Sequence, residues 1–116
     1  MPTKAEHRTR AEHDEFLVKN IGNPFFDWQV TGTFYSALHY VDAYLATQNI
    51  HPPTHSIRLG HVRSDAKLKL VFRDYRDLLN ESRTGRYEAA TIFVQSDVTS
   101  AQRRLDSIKK AVLPHI

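Results

Sequence analysis

Apolar residues return at helical spacing along three stretches of this chain, and a fourth stretch is charged but helix-permissive. The clearest is Phe25 to Gln48. Phe34, Leu38, Val41 and Leu45 recur there at i, i+4, i+7 and i+11, which at 3.6 residues per turn makes one stripe. Tyr40 and Tyr44 border the stripe on one side, and Trp28, Tyr35, His39 and Asp42 on the other. A helix this aromatic is expected at the centre of its bundle. The loop Asn49-Ile50-His51-Pro52-Pro53 ends it. Thr54 then offers an N-cap for a third helix with Leu68, Val71, Phe72, Tyr75, Leu78 and Leu79 on one face and Gly85 as its stop. Glu88 to Gln95, with Ile92, Phe93 and Val94, is too short for a core helix and reads as a connection packed on the bundle. Ser96 is the expected cap of a last helix, with the stripe Val98, Ala101, Leu105, Ile108 and Val112; Lys109 and Lys110 near its end suit the helix dipole.

The remaining stretch, Thr3 to Lys19, opens with a capping-box pair, Thr3 and Glu6. It stays polar until Phe16, Leu17 and Val18, and Asn20 to Pro24 breaks it. The pattern therefore predicts an all-α fold, an antiparallel up-and-down four-helix bundle over 1–116, with a short extra helix allowed. There is no internal repeat and no strand-and-turn pattern.

The 116 residues correspond to one domain. Without cysteine there are no disulfides and no thiolate zinc site. No apolar run is long enough to span a membrane, and the charged start MPTKAEHRTRAEHDEF lacks the apolar core of a signal peptide. A soluble, cytoplasmic protein is expected. The formal charge of +3 and pI near 9.3 permit an anionic partner, and seven histidines add charge just below neutral pH.

Several groups are candidates for chemistry. His39 has Tyr35 and Asp42 as its i−4 and i+3 neighbours. It is either an acid–base or ligand-binding histidine oriented by Asp42, or a half-buried core-edge histidine satisfied by its neighbours. His55 and Arg58 lie one turn apart behind Thr54. Free N–H groups and the dipole at a helix start, with Arg58, make a phosphate site. There His55 can act as general acid or base in RNA cleavage, with Arg58 stabilising the transition state. The competing reading is a polar cap over the helix start. Arg83, Arg86 and Tyr87 flank Gly85 and can clamp a phosphate and stack on a base, or bond helix-end carbonyls and pair with Glu81 and Glu88. Lys69, Arg73 and Arg76 form a basic ridge that is either a nucleic-acid contact or a solvated face. His51, His55 and His61 lack the spacing of a helical ligand pair, so no metal is expected, and no cofactor is expected either.

The blocks WQVTGTFYSALHYVDAYLA, THSIR and YRDLLNESRTGRYE, in this order, resemble the HEPN superfamily over nearly the whole chain. The resemblance implies a helical bundle of four or five helices, often a homodimer. It also implies one of three roles: nucleotide or RNA binding, partnership with a nucleotidyltransferase, or metal-independent endoribonuclease activity of a toxin or defence type. The nuclease members carry an Arg followed, four to six residues later, by His near the start of a late helix. Here no His follows Arg76-Asp77 at that spacing, Arg58 and His61 are too close, and Arg8 and His13 sit on the first helix. The leading expectation is a nucleotide- or RNA-phosphate-binding bundle using His55, Arg58, Arg83 and Arg86, with His39 close by. A non-catalytic dimerisation module using Phe25, Phe26, Trp28, Tyr40 and Tyr44 is the alternative. An unbroken third helix would hold its two basic ends ~40 Å apart, at 1.5 Å for each of ~28 residues. They would meet only through a break near Gly60 or a second subunit.

Overall fold

The computed structural model describes residues 1–116 and is all-helical, with no strand. Its α-helices are α1 (Lys4–Ile21), α2 (Phe26–Ala46), α3 (His55–Ser64), α4 (Phe72–Tyr87) and α5 (Gln95–Val112); short 3₁₀ turns occupy Leu68–Val71 and Leu113–His115. No helix is long and apolar enough to cross a membrane. The all-α class is as expected, and the five α-helices are four longer ones and the short α3, an extra helix that the pattern allowed.

The central position expected of α2 is observed: it packs on α1, α4 and α5. Phe34, Leu38, Val41 and Leu45 are buried, as are Leu68, Val71, Tyr75, Leu78 and Leu79 from the third predicted stripe and Ala101, Leu105, Ile108 and Val112 from the last. Burying such stripes is the main driving force of the fold. α1 runs antiparallel to α2, and Gly32 permits their close approach, since a Cβ there would sit 2.7 Å from Val18 Cγ2. The Ser36 hydroxyl donates to the Ala11 carbonyl at 2.8 Å across the same contact.

The helix starts follow local chemistry. Thr3 Oγ1 accepts from the Glu6 N–H while Glu6 accepts from the Thr3 N–H, both at 3.1 Å. Thr54 Oγ1 accepts from the Ile57 N–H at 3.1 Å and opens α3. α5 starts one residue before the expected cap Ser96, and there the Asp97 carboxylate accepts from the Val94 N–H at 2.8 Å.

The third predicted helix is broken after Ser64, not near Gly60. Asp65 has extended backbone, φ −69° and ψ 139°. Its Oδ1 accepts from the N–H groups of Lys67 at 2.8 Å and Leu68 at 3.0 Å, which starts the chain again in a new direction. The end of α2 secures this carboxylate: the Tyr44 hydroxyl donates to it at 3.0 Å and Gln48 Nε2 at 3.1 Å. Burial raises the Asp65 pKa, but the bonds from Leu68, Gln48, Lys67 and Tyr44 outweigh it, and the net shift is downward. Apolar periodicity resumes at Leu68, so the stripe hid a break made by polar side-chain bonds. Gly85 does not stop α4 either. It lies inside the helix, where an added Cβ would come within 3.4 Å of Phe93 and Thr31, so its role is close packing.

Candidate functional site

The break sends α4 back along α2, and this decides which candidates meet. His55 stands at the first position of α3 with its ring 5.9 Å from that of Phe34. Arg86, near the end of α4, donates from Nη1 to the hydroxyl of Tyr35, the residue next to Phe34. The guanidinium groups of Arg58, Arg83 and Arg86 all act on His55. The two basic groups that an unbroken helix would hold ~40 Å apart thus share one face of a single chain.

Arg58 is the anchor of this face. It is 8% exposed and Asp42 is 6% exposed. Arg58 Nε donates to Asp42 Oδ1 at 2.7 Å and Nη2 to Oδ2 at 3.0 Å, a two-pronged ion pair between α3 and α2. Nη2 also reaches the Pro52 carbonyl at 3.4 Å, and Nη1 lies 3.5 Å from His55 Nδ1. Burial lowers the Arg58 pKa, and the Asp42 carboxylate more than reverses this. The buried Tyr75 hydroxyl lies beside this pair and has no hydrogen-bond partner. Its pKa is raised, first by burial.

His55 is biased toward its neutral form. Burial is the first cause of its lowered pKa, followed by Arg58, Arg83 and Arg86, with Asp42 acting the other way. Arg83 is exposed. Arg86 is held by its own helix, through Nε to the Ser82 carbonyl at 3.1 Å and Nη2 to the Ser82 hydroxyl at 3.3 Å. Its charge sits 5.3 Å from the ring centres of both Tyr35 and Tyr87.

Tyr35, His39 and Asp42 share a flank of α2, as their spacing predicts, but each bonds to a different helix. Tyr35 takes Arg86 of α4 and Asp42 takes Arg58 of α3. His39 Nδ1 faces His7 Nδ1 of α1 at 3.2 Å, one ring donating and the other accepting. Both pKa values are lowered, burial first. His7 was not singled out by sequence, because its partner lies 32 positions away and no local spacing joins them. The ridge residues Lys69, Arg73 and Arg76 are exposed, and Arg76 pairs with Asp77 at 3.1 Å.

No cluster of three or more histidine and acidic side chains has a geometry for a metal ion. No family model matches this chain, and neither a curated protein nor a solved structure matches it. The chemistry of the site rests on its own geometry: a buried ion pair as scaffold, an imidazole biased toward its neutral form, one fixed and one free guanidinium, and two tyrosine rings.

Proposed function

We propose that this is a HEPN-like bundle that binds the phosphate of a nucleotide or RNA on the face formed by His55, Arg83 and Arg86. The observation that carries the proposal is the return of α4, which brings these cations to the start of α3. A helix start already offers N–H groups and a partial positive charge to an anion. The guanidinium groups add charge-assisted donors. Arg58 acts indirectly: locked to Asp42, it fixes α3 and His55.

Titration calorimetry with AMP and a short single-stranded RNA tests this. The Arg83→Ala, Arg86→Ala double variant is expected to bind at least ~10-fold more weakly, the loss of one charged hydrogen bond being worth ~1.5–3 kcal/mol. Absence of binding by the unaltered protein, or equal binding by the double variant, overturns the proposal.

One observation favours a second reading, a metal-independent endoribonuclease. Burial and neighbouring cations bias the His55 imidazole toward its neutral form, which suits a general base, and the exposed Arg83 guanidinium would steady a developing phosphorane charge. RNA cleavage that persists in EDTA and disappears in His55→Ala supports it. Cleavage unchanged in that variant assigns the activity elsewhere.

A further inference from the structure

On the other side of Tyr35, a cleft of about 240 Å³ runs between α1 and α2, lined by Asp14, Leu17, Ile21, Trp28, Tyr35 and His39. It is smaller than the ~300–1,000 Å³ typical of drug-sized ligands, so it suits a single flat ring. Gly32 keeps the two helices close beneath it. Trp28 is 56% exposed at its rim, leaving a large apolar ring in water without cover from this chain. Asp14 is buried and its carboxylate holds Arg10 at 3.3 Å. The mostly exposed Arg10 side chain adds a cation to the lining.

Cleft and cationic face are physically joined. Tyr35 belongs to both: it lines the cleft, and its hydroxyl accepts from Arg86. α4 meets α2 at Thr31, another cleft residue, since a Cβ on Gly85 would lie 3.4 Å from Thr31 Oγ1. Just past that contact, Tyr87 is 77% exposed with Arg86 over its ring. Exposed aromatic rings alternating with guanidinium groups form the surface that single strands use, bases stacking on rings and backbone following the charges.

We infer that the α1–α2 cleft is a base subsite, and that the ligand of the cationic face is a single-stranded oligonucleotide, with one base against Trp28 and the next phosphate on Arg86 and Arg83. This rests on the phosphate-binding proposal above and adds the polymer and the base contact. A duplex does not fit, because its base faces are hidden in the stack.

Trp28 is the only tryptophan of the chain, so its intrinsic fluorescence reports the contact directly. Five-nucleotide RNA and DNA strands, the same RNA annealed to its complement, and inorganic phosphate are titrated against the full chain. Affinity of end-labelled strands is read in parallel by anisotropy, and mass by light scattering. Single strands are expected to quench Trp28 and to bind at least tenfold tighter than the duplex. Trp28→Ala should weaken strand binding about tenfold, the size of one lost stack, and Trp28→Phe should restore most of it. Equal binding of RNA and DNA supports a site that reads base and phosphate alone, and a preference for RNA adds a contact to the 2′-hydroxyl. Strands that bind through Arg83 and Arg86 without quenching, and with full affinity in Trp28→Ala, overturn the base subsite and leave phosphate binding standing. Failure of every strand and of phosphate to bind overturns both. A dimer that Trp28→Ala converts to monomer with strand affinity unchanged assigns the rim to a second copy of the chain and overturns the inference.

Discussion

Arg58 and Arg83 bear on the same histidine with the same charge, yet the chain uses them in opposite ways. Arg58 is buried and both prongs of its guanidinium are taken by Asp42. Arg83 is exposed and joins no ion pair of the chain. A buried charge is tolerated only with its partner, so Arg58 serves the fold and is not available to a ligand. An exposed charge contributes little to stability and is available. Arginine next to histidine therefore does not by itself mark a site; burial separates the scaffold from the part that binds.

The sharpest way to break this contrast is to remove Asp42. Asp42→Ala leaves the Arg58 charge buried and unpaired, and should cost ~3–5 kcal/mol in urea unfolding. Replacing both partners by leucine should cost less than the single change, because no orphaned charge remains. Arg83→Ala should stay within ~0.5 kcal/mol of the parent, as exposed substitutions do. Equal losses for Asp42→Ala and Arg83→Ala would erase the distinction.

A smaller effect is expected at the break that brings the two arginines to one face. Asp65→Ala removes a carboxylate that caps two N–H groups and holds Tyr44 and Gln48. It should cost ~1–2 kcal/mol, the range of a lost cap. It should also weaken strand binding, because α4 then loses the fixed return that positions Arg83 and Arg86. Unchanged binding in a folded Asp65→Ala variant would show that the face does not depend on the break.

Below this lies a pH effect set by three half-buried histidines. His7, His39 and His55 all titrate below the ordinary 6.5 in the folded chain, burial being the first cause for each. His7 also feels Asp42, His51, Arg58 and Glu6, and His39 feels Asp14, His7, Asp42 and Arg10. The unfolded chain therefore takes up protons first as pH falls. The stability that comes from keeping these rings neutral is full above pH 6.5 and is lost as pH drops through 6.5 toward the folded values. Tm should fall between pH 7.5 and pH 5.5, and His39→Gln should shrink the fall. An equal fall in that variant would place the titrating group elsewhere.

The same contrast explains what the sequence shows and what it conceals. Stripes such as Phe34–Leu38–Val41–Leu45 announce their burial because helical spacing is local. The caps Thr3 and Thr54 are equally legible, since donor and acceptor lie three residues apart. His55 and Arg58 are visible as a pair one turn apart. That Asp42 would claim Arg58, sixteen positions away, or that His7 would meet His39, is set by helix packing and leaves no local trace. The break at Asp65 is an intermediate case. Ser64-Asp65 is a polar interruption that can be seen, but the apolar stripe continues past it, and only the bonds from Tyr44 and Gln48 show that Asp65 turns the chain.

The smallest effect has the opposite sign and tests whether α3, the scaffold side of the contrast, must bend. Gly60 lies inside α3 two positions beyond Arg58, and a Cβ there would meet nothing within 4 Å. Its φ is not in the left-handed region. Alanine fits the space and the backbone, and removes the flexibility that glycine gives the unfolded chain. Gly60→Ala should therefore stabilise the protein by ~0.5–1 kcal/mol. It should leave strand affinity unchanged, since Arg58 and His55 are already held by Asp42 and the Thr54 cap. A stabilised variant with weakened binding would mean that α3 moves when the ligand docks, and the scaffold would then be part of the binding machinery.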